Sequence, residues 1–227
     1  MALDLLILRL DTNRDAEPFF RTFRTTTNGQ RTKNPYNSMI VKHAAPAANS
    51  NYGNRTMMLN EVVQEAINEQ INNELFAMYS YLSMSAYCEH KQFRGCAHWM
   101  RLQSQEEYTH AIRLYDFLIV RQGRVKLRPI AQPQSDFASV PEVFQKALEQ
   151  EQIVTGQINA LYELAFNEKA FAALVELEWF INEQVEEEKT ARDIVYKFQL
   201  VKDDPAALLD LDRELGARQP DPAAATE

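Results

Sequence analysis

Four stretches of this chain repeat apolar residues every three or four positions, the period of one helix face, and each interrupts that seam near its middle with a glutamate. The first seam reads Val63, Ile67, Ile71, Glu74, Met78, Tyr81 and Ser85, and the second Met100, Glu107, His110, Leu114 and Phe117. The third reads Phe144, Leu148, Glu151, Val154, Ile158 and Leu161, and the fourth Ala173, Leu177, Phe180, Gln184, Glu187, Ala191, Ile194 and Phe198. Burying a carboxylate costs several kcal/mol unless it is paired or bound to a cation. No Lys or Arg takes a matching inward place, so four carboxylates would repel one another across the core, and a pair of cations would relieve them.

The rest of the sequence supports an all-α fold. Only six glycines occur in 227 residues, and no segment alternates Val, Ile and Thr as a half-buried strand would. Asn60 is a good N-cap with Glu61 in the first turn, which predicts a first helix from there to about Cys88. A turn near 89–92 leads to a second helix from about Phe93 to Arg121, stopped before Gly123. Pro129, Pro133 and Pro141 punctuate the connection that follows, which is long for antiparallel neighbours and so predicts a crossover along a bundle. Ser139 and Pro141 open a third helix, a turn at 167–169 leads to a fourth, and Asp203, Asp204 and Pro205 precede a short fifth helix over 206–215. Two helical hairpins joined by one long crossover make a four-helix bundle in up-down-down-up order. In that order the four glutamates fall at a similar depth, with apolar layers above and below.

Composition narrows the function. A formal net charge of -8 disfavours nucleic acid, which needs a basic surface, and suits a cationic partner. No apolar run approaches the roughly 20 residues that span a bilayer. Cys88 and Cys96 match no zinc spacing and are expected as reduced, partly buried thiols. Residues 1–55 hold eight Lys and Arg against four Asp and Glu, with no acid from 18 onward, so 1–57 reads as a disordered leader. It is either a targeting peptide or an over-extended start, with Met57 or Met58 as the true beginning. A globular domain over 58–216 and a flexible tail over 217–227 complete the chain.

Glu107 and His110, three apart, project from one helix face, and inward Glu-x-x-His is a ligand arrangement of di-iron bundles. Four carboxylates and an imidazole are hard donors suited to iron, manganese or zinc. The runs INEQINNELFAMYSYLSMSAYC, LQSQEEYTHAIRLYDFL, EQEQIVTGQIN and INEQVEEEK resemble the non-haem bacterial ferritins in order and interval. That resemblance implies a ferritin-like bundle and a ferroxidase centre binding two irons per subunit. Glu74, Glu107 and His110 would hold the first iron, Glu107 would bridge, and Glu151 with Glu187 would hold the second. Gln184 would support the second position and Tyr81 would supply an electron. Glu106, Glu183 and Glu186 match a third iron site of the family, although spacing alone would make them a solvated acidic face.

Thr190 stands where many di-iron proteins carry a second Glu-x-x-His, which disfavours haem-containing relatives, and no haem is expected. The implied activity is oxidation of Fe(II) by dioxygen or peroxide, with ferric mineral deposited in a hollow 24-subunit homo-oligomeric shell. Two alternatives are a rubrerythrin-like oxidase or peroxidase without storage and a catalytically silent structural subunit. The expected location is the cytoplasm, or a plastid if the leader is a transit peptide.

Overall fold

The computed structural model describes residues 59–202 and 204–220. The leader expected over 1–57 lies outside the described residues, as does the end of the tail, 221–227. Among the described residues the elements are α1 (Glu61–His90), α2 (Arg94–Val120), α3 (Val140–Asn167), α4 (Phe171–Val201) and α5 (Pro205–Leu215), with no strand. None of these helices is long and apolar enough to cross a membrane.

The starts are capped unevenly. Asn60 Oδ1 accepts the Val62 N–H at 2.7 Å, and Ser139 Oγ accepts the Glu142 N–H at 3.3 Å while Glu142 reaches back to the Ala138 N–H. That reciprocal pair is a capping box. Phe93 offers α2 no side-chain cap. The stops of α1, α2 and α3 share one device in which no glycine takes the left-handed position. Gln92, Gln122 and Lys169 take left-handed φ values of 63°, 57° and 55°. Each closes its helix with a paired motif, as where the Gln122 N–H bonds Ile119 O and the Gly123 N–H bonds Leu118 O, which satisfies the terminal carbonyls. The second helix, expected to run to about Arg121 and to stop before Gly123, ends at Val120 with Arg121 as its C-cap.

Pairings across the bundle fix the topology. Ser104 Oγ on α2 bonds the Met78 carbonyl on α1, and Ser85 Oγ bonds the Ala97 carbonyl, so these helices run antiparallel. The α3 and α4 helices are antiparallel too, through Thr155 to Glu188 and Phe144 against Phe198. Tyr81 on α1 reaches Glu151 on α3, and Tyr87 reaches the Phe137 carbonyl just before α3. This is the up-down-down-up order, and the 121–139 connection crosses the bundle's length. Asn68 holds its start, donating to Arg124 O at 3.0 Å and accepting from the Lys126 N–H at 2.6 Å.

The core splits into two apolar layers. One contains Met84, Cys88, Cys96, Met100, Phe144, Leu148, Ile194 and Phe198. The other contains Val63, Ile67, Ile71, Leu114, Leu118, Ile158, Leu177 and Phe180. Two seam positions shift by one residue: Leu118 and Ala77 are buried, while Phe117 and Met78 are half-buried. Cys88 and Cys96 are free thiols, fully buried rather than partly so.

Candidate metal centre

Between the two layers lies a polar band. Glu74, Glu107, His110, Glu151, Gln184 and Glu187 are all buried there, none more than 7% exposed, one or two from each of α1 to α4. Single turns of four different helices thus deliver the donors, and the apolar layers on either side exclude water. His110 is held edge-on by Trp179 and Phe180, with ring centroids 5.3 and 6.0 Å away. Its Nδ1 lies 3.5 Å from Glu107 Oε2.

Two sets of ligand atoms come within 4.8 Å of one another: Glu74, Glu107 and His110, and His110, Glu183 and Glu187. Glu151 belongs to neither set; the Tyr81 hydroxyl donates to its Oε1 and Gln184 Nε2 donates to its Oε2 at 3.2 Å. Glu106 is half-buried and paired with Arg218, Glu183 is half-buried, and Glu186 is exposed. The expected third-site residues therefore do not form one cluster of that size: Glu183 sides with His110 and Glu187.

The electrostatics follow from burial. Loss of water pushes each of Glu74, Glu107, Glu151 and Glu187 up to about 8 from the ordinary carboxyl value, and neighbouring carboxylates add to the rise. Glu107 raises Glu74 and Glu151 and is itself raised by Glu187, so its charge is coupled to all three. Burial and the Glu151 charge likewise hold the Tyr81 phenol well above its usual value. Without a cation this band is mostly protonated at neutral pH, and a divalent ion would take the place of the protons.

Glu74 Oε2 and Glu107 Oε1 are buried and take no hydrogen bond from any other group of the described residues, and the two carboxyls are close enough to share a proton between them. Ionised, they would repel across the α1–α2 interface, and a cation in place of the shared proton fits both. The donor set fits iron on chemical grounds as well.

Three residues of this site were not anticipated. Gln70 Nε2 donates to Glu74 Oε1 at 2.8 Å, and Gln103 Nε2 donates to Glu187 Oε1 at 2.8 Å. Each glutamine stands four residues before a seam glutamate, Glu74 or Glu107, but Gln103 bonds Glu187 on α4 instead of Glu107, so the spacing alone does not give the pairing. Arg218, after α5, contacts Gln103 and Glu106, and nothing in its local sequence marks it.

A bundle of two helical hairpins joined by a crossover, with carboxylates and an imidazole converging between apolar layers, defines a class of metal-binding four-helix proteins. Residues 64–201 match the Ferritin-like domain, and the chain belongs to that family. It is 37% identical over 161 residues to the bacterial non-heme ferritin of Staphylococcus aureus (strain USA300), covering 71% of this chain and 97% of the relative. Its identity to the bacterial non-heme ferritin of Staphylococcus haemolyticus is 36% over the same length. An open pore ferritin from the archaeon Archaeoglobus fulgidus is similar in structure, with a TM-score of 0.71 at 44% identity, covering 72% of this chain and 99% of that one.

Proposed function

We propose that the chain is the ferroxidase subunit of an iron-storage ferritin, oxidising Fe(II) with dioxygen or peroxide and depositing ferric mineral inside a hollow homo-oligomeric shell of 24 subunits. The observation that carries this reading is the pair of buried carboxyls on neighbouring helices, Glu74 and Glu107, whose Oε2 and Oε1 take no hydrogen bond from any other group of the described residues. Gln70 engages the other Glu74 oxygen, and His110 Nδ1 lies 3.5 Å from the other Glu107 oxygen. Fe(II) is the substrate. Glu74, Glu107 and His110 take one ion, while Glu151 and Glu187 take a second, with Glu107 shared between them.

The chain's own groups have separable tasks. Anionic oxygens favour the ferric over the ferrous state, and a shared carboxylate keeps two ions near enough for one oxidant to meet both. Gln70, Gln103 and Gln184 fix the carboxylates by donated hydrogen bonds, as partners of ligands do in metal sites. Tyr81, its hydroxyl on Glu151, gives an electron to the oxidant while its proton passes to that carboxylate. Glu106, Glu183 and Glu186 serve as a third iron position on the way to the cavity. The relatives named as non-heme ferritins support the absence of haem here.

Anaerobic addition of Fe(II) followed by air, with particle size measured, tests the reading. A fast phase saturating near two irons per subunit, followed by slow uptake of many more into a large shell, is expected. Fast oxidation in a small oligomer that retains no iron would replace storage with the oxidase alternative, and no fast phase would leave a structural subunit.

A further inference from the structure

The segment after α5 does not leave the bundle at once. Asp212 Oδ1 accepts the Cys96 N–H at 2.8 Å, and a Cβ on Gly95 would lie 1.7 Å from the Asp212 carbonyl oxygen, so α5 is seated directly on the start of α2. Beyond it His98 Nε2 meets the Arg218 carbonyl at 3.1 Å. The Arg218 guanidinium lies 4.4 Å over the Trp99 ring, its Nη1 donates to Gln103 Oε1 at 2.8 Å, and its Nη2 donates to Glu106 Oε2. Trp99, Gln103 and Glu106 are spaced four and three apart, one face of α2, so the guanidinium is gripped along a single stripe that leads to the metal band. Both partners of the Arg218–Glu106 pair are largely shielded, at 20% and 15% side-chain exposure.

We propose that Arg218 is a built-in cation that competes with iron for Glu106, one of the three carboxylates read as the third iron position, so that an ion takes the Glu106 oxygen held by Arg218 only by displacing it. The inference rests on the third-site reading given above. A guanidinium and a metal ion cannot both take the same carboxylate oxygen at full strength, and the coupling between two such occupants is reciprocal. The fork geometry matters, since one planar group serves Gln103 and Glu106 together, which a lysine ammonium cannot reproduce. The same contact gives Gln103 its sense. An amide facing a guanidinium must present oxygen, so its nitrogen is turned to Glu187, 2.8 Å away. Arg218 thus acts as a positioning residue, tying the C-terminal segment to the occupancy of the metal band.

Anaerobic Fe(II) binding to the full-length protein, followed by calorimetry, tests this with wild type, Arg218→Gln, Arg218→Lys and the double variant Arg218→Gln/Glu106→Gln. Thermal melts establish that each is folded. The expected result is a third ion bound about tenfold more tightly in Arg218→Gln, a smaller gain in Arg218→Lys, and no gain in the double variant. If Arg218→Gln does not fold, the gain in Arg218→Lys decides. A third ion bound equally by wild type and the variants would overturn the role of Arg218 while leaving the third site in place. Only two ions in every folded variant would overturn the third site and the inference together.

Discussion

Gln103 on α2 donates from Nε2 to Glu187 Oε1 on α4 at 2.8 Å, so a neutral amide spans the bundle and holds a candidate ligand. Because the amide is 0% exposed, its orientation is set wholly by protein contacts. Replacing Gln103 with Ala is expected to weaken binding of the second cation by about tenfold to a hundredfold. Anaerobic Fe(II) titration measures this, and an unchanged second affinity would show that Glu187 needs no orienting partner.

The band should also link metal uptake to protons. For Glu74, Glu107, Glu151 and Glu187 the folded values near 8 lie above the ordinary 4.5, so the metal-free fold favours their protonated forms. Its stability is therefore greatest near the acid end of that window, falls as pH rises from about 4.5 to about 8, and levels off above, as far as these groups are concerned. Divalent ions reverse the trend by replacing protons. Denaturant midpoints of the metal-free protein between pH 5 and 8 should decline, and zinc(II) titrated at pH 6.5 should release protons measurable by pH-stat. A flat profile with no proton release would mean that the carboxylates are already ionised.

The seating of α5 depends on the absence of one methyl group. Gly95→Ala would drive a Cβ into the Asp212 carbonyl, backbone that cannot move aside as a side-chain tip would, at a cost of about 1–3 kcal/mol. The expected consequence is release of α5 with the four long helices intact. Cys96, fully buried and hydrogen-bonded to Asp212, would then react with a thiol reagent that wild type resists. A variant whose thiol stays protected would place the strain elsewhere.

Much of this architecture was legible because the seams are long and regular. Every apolar position assigned to α3 and α4 is buried, since a 3.6-residue period over some seven turns leaves one register only. The slips at Phe117 and Met78 come where a large side chain sits one step from a smaller or better-aimed neighbour, and three-dimensional crowding rather than hydropathy decides which enters. Glu74, Glu107, Glu151 and Glu187 stood out as charges on an oily stripe. Gln70 and Gln103 did not, because a glutamine there is unremarkable until its partner on another helix or another turn is known. Arg218 was illegible for a stronger reason: its partners lie more than a hundred positions away in sequence, and only the folding of α5 onto α2 brings them together.

The proposed centre turns on Glu107, whose charge is coupled to Glu74, Glu151 and Glu187 and whose Oε1 takes no hydrogen bond from any other group of the described residues. Its most direct test is stopped-flow oxidation of Fe(II) by air in wild type and Glu107→Ala side by side, with shell assembly checked by sizing. A fast phase is expected in wild type, slowed by about a hundredfold in an equally assembled variant. Equal rates in the two proteins would contradict it, and with it the assignment of the whole centre.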